Sequence, residues 1–201
     1  MVQDIALEMT LIELISSRIC HDLVGPVGAV NAGAELMGED GVADDEALAL
    51  MRKSGLEAAR RLQLFRLAFG RAGNSVDTQS MRTAARQTYD AEGKVSLDWP
   101  NLPFDAAHGR VVLNMVMLAR EALPFGGGIT VTHDSGSTTV LAEGKRAALR
   151  PEVMTVLEKD VSADVLDPRT VHGFFVRNLA YRTGGALSVL QQEGNIALIY
   201  G

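Results

Sequence analysis

From Ile5 to about Met37 the apolar positions recur with a helical period. At about 100° per residue, Ile5, Ile12, Ile15, Ile19, Leu23, Val30 and Met37 fall on one narrow stripe. Leu7, Leu11, Leu14 and Gly25 form a second, roughly a third of a turn away. Two stripes exceed what one partner helix covers, so the pattern predicts a bundle of more than two helices. "MGEDGVADDEA" predicts a loop, with Asp44 or Asp45 capping the next helix and the acids favouring its N-terminal dipole. A second helix follows through "LALMRKSGLEAARRLQLFRLAFG", with Leu48, Met51, Leu56, Leu62, Phe65 and Phe69 available for packing. Gly70 and "AGNS" end it. A lone hairpin cannot bury both stripes. Two hairpins across a two-fold axis make a four-helix bundle, so residues 1–72 are expected to form a homodimer.

From Ser75 the pattern changes. "TQSMRTAARQTYD" predicts a helix and "KVSLDWP" a strand closed by Pro100. "FDAAHGRVVLNMVMLAREAL" predicts a longer helix, and "PFGGG" a turn. "ITVTH", "TTVLAE", "ALSVL" and "IALIY" alternate as strands do. "RPEVMTVLE" and "DPRTVHGFFVRNLAYR" predict further helices, the latter with Val171, Phe174, Phe175 and Leu179 on one face. Helices first and mixed elements later give an α+β chain of two domains, 1–72 and 75–201.

Composition narrows the function classes. The chain is 47% hydrophobic and 22% charged, enough to bury a core, and its net charge of −6 argues against nucleic acid as a principal partner. No apolar run approaches the roughly 20 residues of a membrane span, and acids stand where a signal peptide carries bases, so a cytoplasmic location is expected. A single cysteine, Cys20, excludes an internal disulfide and a multi-cysteine metal site. Residues 1–46 hold ten acids and one base, and residues 47–71 six bases and one acid, which favours the two segments folding back on each other.

The candidate chemistry lies in "SSRICHDLVGPVGAV". His21 falls about 180° from the centre of the isoleucine stripe, on the solvent side of its helix. Asp22 follows directly, and a carboxylate beside an imidazole holds its tautomer and accepts a proton as the other ring nitrogen attacks an electrophile. Pro26 cannot donate to the Asp22 carbonyl and crowds it, so the helix is expected to bend just after the pair. Gly25, Gly28, Ala29, Ala32 and Gly33 make the following turns slim, which suits close approach of another backbone, in the bundle or from a partner protein. No second histidine lies at i+3 or i+4, so no metal site is expected, and Cys20 is read as a small packing residue.

His21, Asp22, Leu23 and Pro26 spell H-D-L-x-x-P on a dimerising hairpin, which resembles the phosphoacceptor box of sensor histidine kinases. The later residues resemble the Bergerat-type ATP-binding domain of the same kinases, an α/β sandwich. "VVLNMVMLAREALPFGGGITVT" is similar to its asparagine-bearing helix and following strand, and "VHGFFVRNLAYRTGGALSVLQQEGNIALIYG" to its terminal helix and strand hairpin. The departures fall where nucleotide binds. Leu118 stands at the metal-site asparagine, "AEGKR" (Ala142 to Arg146) replaces the Asp-x-Gly-x-Gly loop, and only Gly173 is left of the phosphate loop. Phosphoryl transfer from ATP depends on those parts together, so no ATP binding or hydrolysis is expected.

A phosphoacceptor histidine attached to a domain unable to charge it resembles, over essentially the full chain, the ChpT-like histidine phosphotransferases of alphaproteobacteria. The resemblance implies a phosphorelay. His21 takes a phosphoryl group from the receiver domain of a hybrid histidine kinase and passes it to response-regulator aspartates, partners that govern cell-cycle and motility transcription and regulated proteolysis. It also implies that Asp22 orients the imidazole, that Mg²⁺ arrives on the receiver rather than as an intrinsic cofactor, and that Val24, Gly25, Gly28 and Ala32 form the docking face. Arg18, one turn before His21, either steadies phosphoryl oxygens or is a solvated charge. Gly25 occupies the position where phosphatase-competent kinases carry Thr or Asn, which argues against a water-activating role. The rival readings are a histidine kinase with an atypical nucleotide site and a non-catalytic dimeric adaptor. His108, His133 and His172 show no partner in sequence and are read as structural or solvated.

Overall fold

Two long helices open the chain, α1 (Val2–Glu35) and α2 (Asp45–Phe69). The computed structural model describes residues 2–36, 45–70 and 77–201, without the side chains of 2–6 and 163. The loop expected around Asp44 therefore lies outside the described residues, while Asp45 and Glu46 sit in the first turn of α2 as expected. The helices run antiparallel. A Cβ on Gly33 would meet the Met51 side chain and the Ala47 carbonyl, a Cβ on Gly55 would meet Val30, and Asp22 lies opposite Arg61.

The remaining residues form α3 (Thr78–Glu92), β1 (Val95–Asp98), α4 (Ala106–Glu121), β2 (Gly127–Asp134), β3 (Ser137–Glu143), α5 (Pro151–Glu158), α6 (Val171–Arg182), β4 (Leu187–Gln192) and β5 (Asn195–Tyr200). Carboxylates fix two of the helix starts. Asp77 accepts from the Ser80 amide and Asp105 from the His108 amide, which satisfies backbone donors that a first turn leaves unpaired. The strands form one sheet in the order β1-β2-β3-β5-β4. β1 and β2 are parallel and joined through α4, and the other neighbours are antiparallel. Gly126 allows the turn into β2: its φ is +85°, and a side chain there would collide with the Lys94 carbonyl.

One sheet face carries Val95, Ile129, Val131, Val140, Ala142, Ile196 and Leu198, all buried beneath the helices. The other face is largely polar, as a one-sided antiparallel sheet permits. The core centres on α4, where Val111 to Ala119 are buried almost without interruption. Leu64, Phe65, Leu67 and Ala68 at the end of α2 join it, so the hairpin and the α/β layer share one core.

Part of the second α1 stripe is covered within the chain itself. Leu7, Leu11 and Leu14 pack against Val156, Leu166 and Phe174 of the same chain's C-terminal domain. That domain supplies the extra apolar surface that the periodicity demanded. The two oppositely charged segments do fold back on each other, although among the described residues no ion pair joins an α1 carboxylate to an α2 cation.

Candidate functional site

His21 stands on the open side of α1, with 88% of its side chain exposed. Its Nδ1 lies 3.2 Å from Asp22 Oδ1. A tautomer that donates its Nδ1 proton to that carboxylate carries its lone pair on Nε2, the nitrogen that can attack an electrophile. The pair edges a cleft of about 550 Å³ between α1 and the C-terminal domain, whose far wall includes Val153, Arg150 and Arg169.

Helical geometry places Gly25, Gly28 and Ala32 within about 40° of His21 and Val24 within about 60°. All four are exposed, Val24 at 68%. A Cβ on Gly25 or Gly28 would meet nothing within 4 Å, so among the described residues no group packs against those glycines. Gly33 differs, for its missing side chain makes room for α2.

α1 continues through Pro26 without a break. Pro26 is buried, and the carbonyl it deprives of a donor, that of Asp22, accepts a hydrogen bond from Arg61 Nη1 at 2.8 Å. A donor from α2 thus replaces the missing amide at this turn. Arg61 Nη2 also pairs with Glu57 Oε1 at 2.6 Å.

Arg18 does not reach toward the His21 ring. Its Nη2 forms an ion pair with Glu121 on α4, and its Nη1 lies 3.5 Å from the Pro168 carbonyl. Glu121 also accepts from His172 Nδ1 at 2.9 Å. The His172 ring is fully buried, its Nε2 lies 3.2 Å from Asn114 Oδ1, and Asn114 Nδ2 donates to the Ala68 and Arg110 carbonyls. Burial pushes the His172 pKa down, against the pull of Glu121. Burial would raise the Glu121 pKa, but the His172 hydrogen bond and the nearby positive charge outweigh it and hold the carboxyl below its usual range. Charge on His172, and after it charge on Arg18, adds to that pull. The chain of contacts ties α1 to α4, to α6 and to the end of α2.

Where the kinase-like sequence pattern is broken, the structure is filled. Leu118 is fully buried in the core. Gly173 lets α6 press on α5, since a Cβ there would lie 2.9 Å from Val156 Cγ2 and 3.2 Å from Val153 Cγ1. It is a packing glycine and not a residue of a phosphate loop. Among the described residues, no group of three or more His, Cys, Asp or Glu could hold a metal ion, and no helix is long and apolar enough to cross a membrane.

Sequence reasoning missed Arg61, Glu121, Arg150 and Arg169. For Arg61 a signal existed, because Pro26 leaves a carbonyl that some donor must satisfy. The sequence offers six bases between residues 47 and 71 and no means of choosing among them.

Comparison with known proteins bears on this arrangement. Residues 78–195 match the model of the histidine phosphotransferase C-terminal domain. The protein phosphotransferase ChpT of Brucella abortus (strain 2308) is 31% identical over 187 residues, covering 88% of each chain. A solved structure described as a bacterial phosphotransferase superposes with a TM-score of 0.83 at 29% identity, covering 96% of each chain. A hairpin bearing an exposed His-Asp pair, continued into a domain with these likenesses, has one assignment: the chain belongs to the histidine phosphotransferase family.

Proposed function

We propose that His21 is the phosphoacceptor of a phosphorelay, charged by the receiver domain of a hybrid histidine kinase and discharged to the aspartate of a response regulator. The observation that carries this is the exposed His21 ring, with Nδ1 beside Asp22, on a face where Gly25 and Gly28 leave room that none of the described residues fills.

Nε2 attacks the phosphorus of the receiver's aspartyl phosphate in line. The P–N bond forms as the P–O bond to the aspartate breaks, and the aspartate leaves as a carboxylate. The ring then carries phosphate on Nε2 and a proton on Nδ1, and Asp22 stabilises that cationic ring through the Nδ1–H bond. The reverse sequence at a second receiver regenerates neutral His21. Mg²⁺ travels with the receiver. Val24, Gly25, Gly28 and Ala32 form the docking face, and Arg150 and Arg169 stand across the cleft as cations for phosphoryl oxygens or the receiver's acidic rim. Arg18, engaged with Glu121, holds α1 to the C-terminal domain instead.

Buried Leu118 and the packed Gly173 support a domain that neither binds nor hydrolyses ATP. A homodimer is proposed as well, through an apolar groove of about 790 Å³ along α1, α2 and α6 that leaves Ile12 and Leu62 more than half exposed in a single chain. Cytoplasmic action follows from partners of this kind.

The test is transfer from a purified phosphorylated receiver to the protein and to its His21→Gln variant. Acid-labile phosphate is expected on the wild type and none on the variant; equal labelling of both would refute the assignment. Labelling by ATP alone would favour a kinase, and receiver binding with no transfer an adaptor.

A further inference from the structure

We propose that Arg61 is a positioning residue for the His21–Asp22 pair, acting through the main-chain carbonyl that Pro26 leaves without a helical donor. The inference rests on His21 being the phosphoacceptor. In an unbroken helix the Asp22 carbonyl accepts from the amide of residue 26, and proline has none. An interior turn that loses this bond normally opens, bends or admits water. Here α1 stays helical through Pro26, and the carbonyl accepts from Arg61 Nη1 at 2.8 Å.

The placement of this bond matters. It holds the backbone of the residue whose Oδ1 lies 3.2 Å from His21 Nδ1, on the side of α1 facing α2 and away from the docking face. Docking of a receiver therefore leaves Arg61 in place, while the bond fixes how Asp22, and through it the imidazole, is presented. The guanidinium serves two partners at once, since Nη2 pairs with Glu57 Oε1 one turn earlier on α2. Glu57 anchors the arginine, and the arginine holds the turn. A lysine has the charge but not the planar fork, so it keeps one contact at the expense of the other. Transfer in line demands sub-ångström placement of the attacking nitrogen, so loosening this turn slows the chemistry without touching substrate.

The geometry makes a particular mutational coupling unavoidable. An alanine at position 26 restores an amide that donates to the Asp22 carbonyl, and that carbonyl then no longer depends on Arg61. The experiment compares wild type, Arg61→Met, Pro26→Ala and the double variant in full-length protein, charged by a phosphorylated receiver. In the wild-type background Arg61→Met is expected to slow transfer by about tenfold or more. In the Pro26→Ala background the same change is expected to cost less than about twofold, the scatter of independent sites. Arg61→Lys falls between wild type and Arg61→Met. Equal losses in the two backgrounds, or no loss in the wild-type background, overturn the proposal.

A second readout needs no activity. In ¹³C-labelled protein the Asp22 carbonyl resonance is expected to shift on Arg61→Met and to stay put when the same change is made in Pro26→Ala. An unmoved resonance in the first case, or matching shifts in both, overturns the proposal. If wild type takes no acid-labile phosphate on His21, the phosphoacceptor reading fails, while the carbonyl shift still decides whether Arg61 holds the turn.

Discussion

Two histidines that looked unpartnered in sequence converge on one hydroxyl. His108 Nε2 and His133 Nδ1 lie 2.8 and 2.9 Å from the oxygen of fully buried Thr138, and His108 stacks on Phe104. Burial, and then the neighbouring His133, hold the His108 pKa below its ordinary value of 6.5, against a smaller pull from Asp105. The unfolded chain therefore takes up this proton first as the pH falls. The stabilising contribution is complete above the unfolded value and declines as pH drops below it toward the folded one. His172, also depressed by burial, acts in the same direction. The denaturation midpoint is expected to fall from about pH 7.5 to about pH 5.5, and to fall less in His108→Gln; an unchanged pH response in that variant would contradict the assignment. At this scale the sequence was legible for His21 and Asp22, because adjacency is written in the chain. It was silent on the contacts of His108 with Thr138 and of His172 with Glu121, which span 30 and 51 residues.

Along α1 the density of small residues was legible but its meaning was not uniform. Gly28 faces open space, whereas a Cβ on Gly33 would sit 2.4 Å from Met51 Cγ and 3.2 Å from the Ala47 carbonyl oxygen. The two glycines should respond oppositely to substitution. Gly28→Ala removes a flexible residue from an exposed helix position and is expected to raise stability by up to about 1 kcal/mol. Gly33→Val forces α1 and α2 apart and is expected to cost about 1–3 kcal/mol. Urea denaturation of both variants checks the signs. Gly28→Leu also places a bulky group on the proposed docking face, so it should fold normally yet slow transfer from a phosphorylated receiver. Periodicity gave the helices and their apolar faces. It did not give the register between them, which alone separates a glycine needed for packing from one kept for a partner.

The whole molecule differs from the sequence-based picture in what covers α1. Two apolar stripes implied neighbours beyond α2, and a hairpin dimer was the simplest source. The structure packs Leu7, Leu11 and Leu14 against the C-terminal domain and leaves an open apolar groove beside Ile12 and Leu62, where the proposed second copy would sit. Ile12→Glu combined with Leu62→Glu should therefore give a monomer in light scattering while the circular dichroism spectrum stays unchanged; a persistent dimer would move the interface elsewhere. A fragment ending near residue 71 should behave worse than either, because it bares the leucine stripe and half of a shared core. Periodicity counts faces but does not name the element that covers each one, which is why the two solutions were indistinguishable from sequence. The shared core has a calorimetric consequence. A kinase that carries phosphate from nucleotide to its own histidine needs its two domains to come apart and meet again, and so tolerates separate melting. A carrier loaded from outside has no such journey to make. With Leu64, Phe65, Leu67 and Ala68 of the hairpin embedded in the core that α4 centres, heating is expected to produce one heat-absorption peak rather than two, with equal calorimetric and van't Hoff enthalpies per cooperative unit.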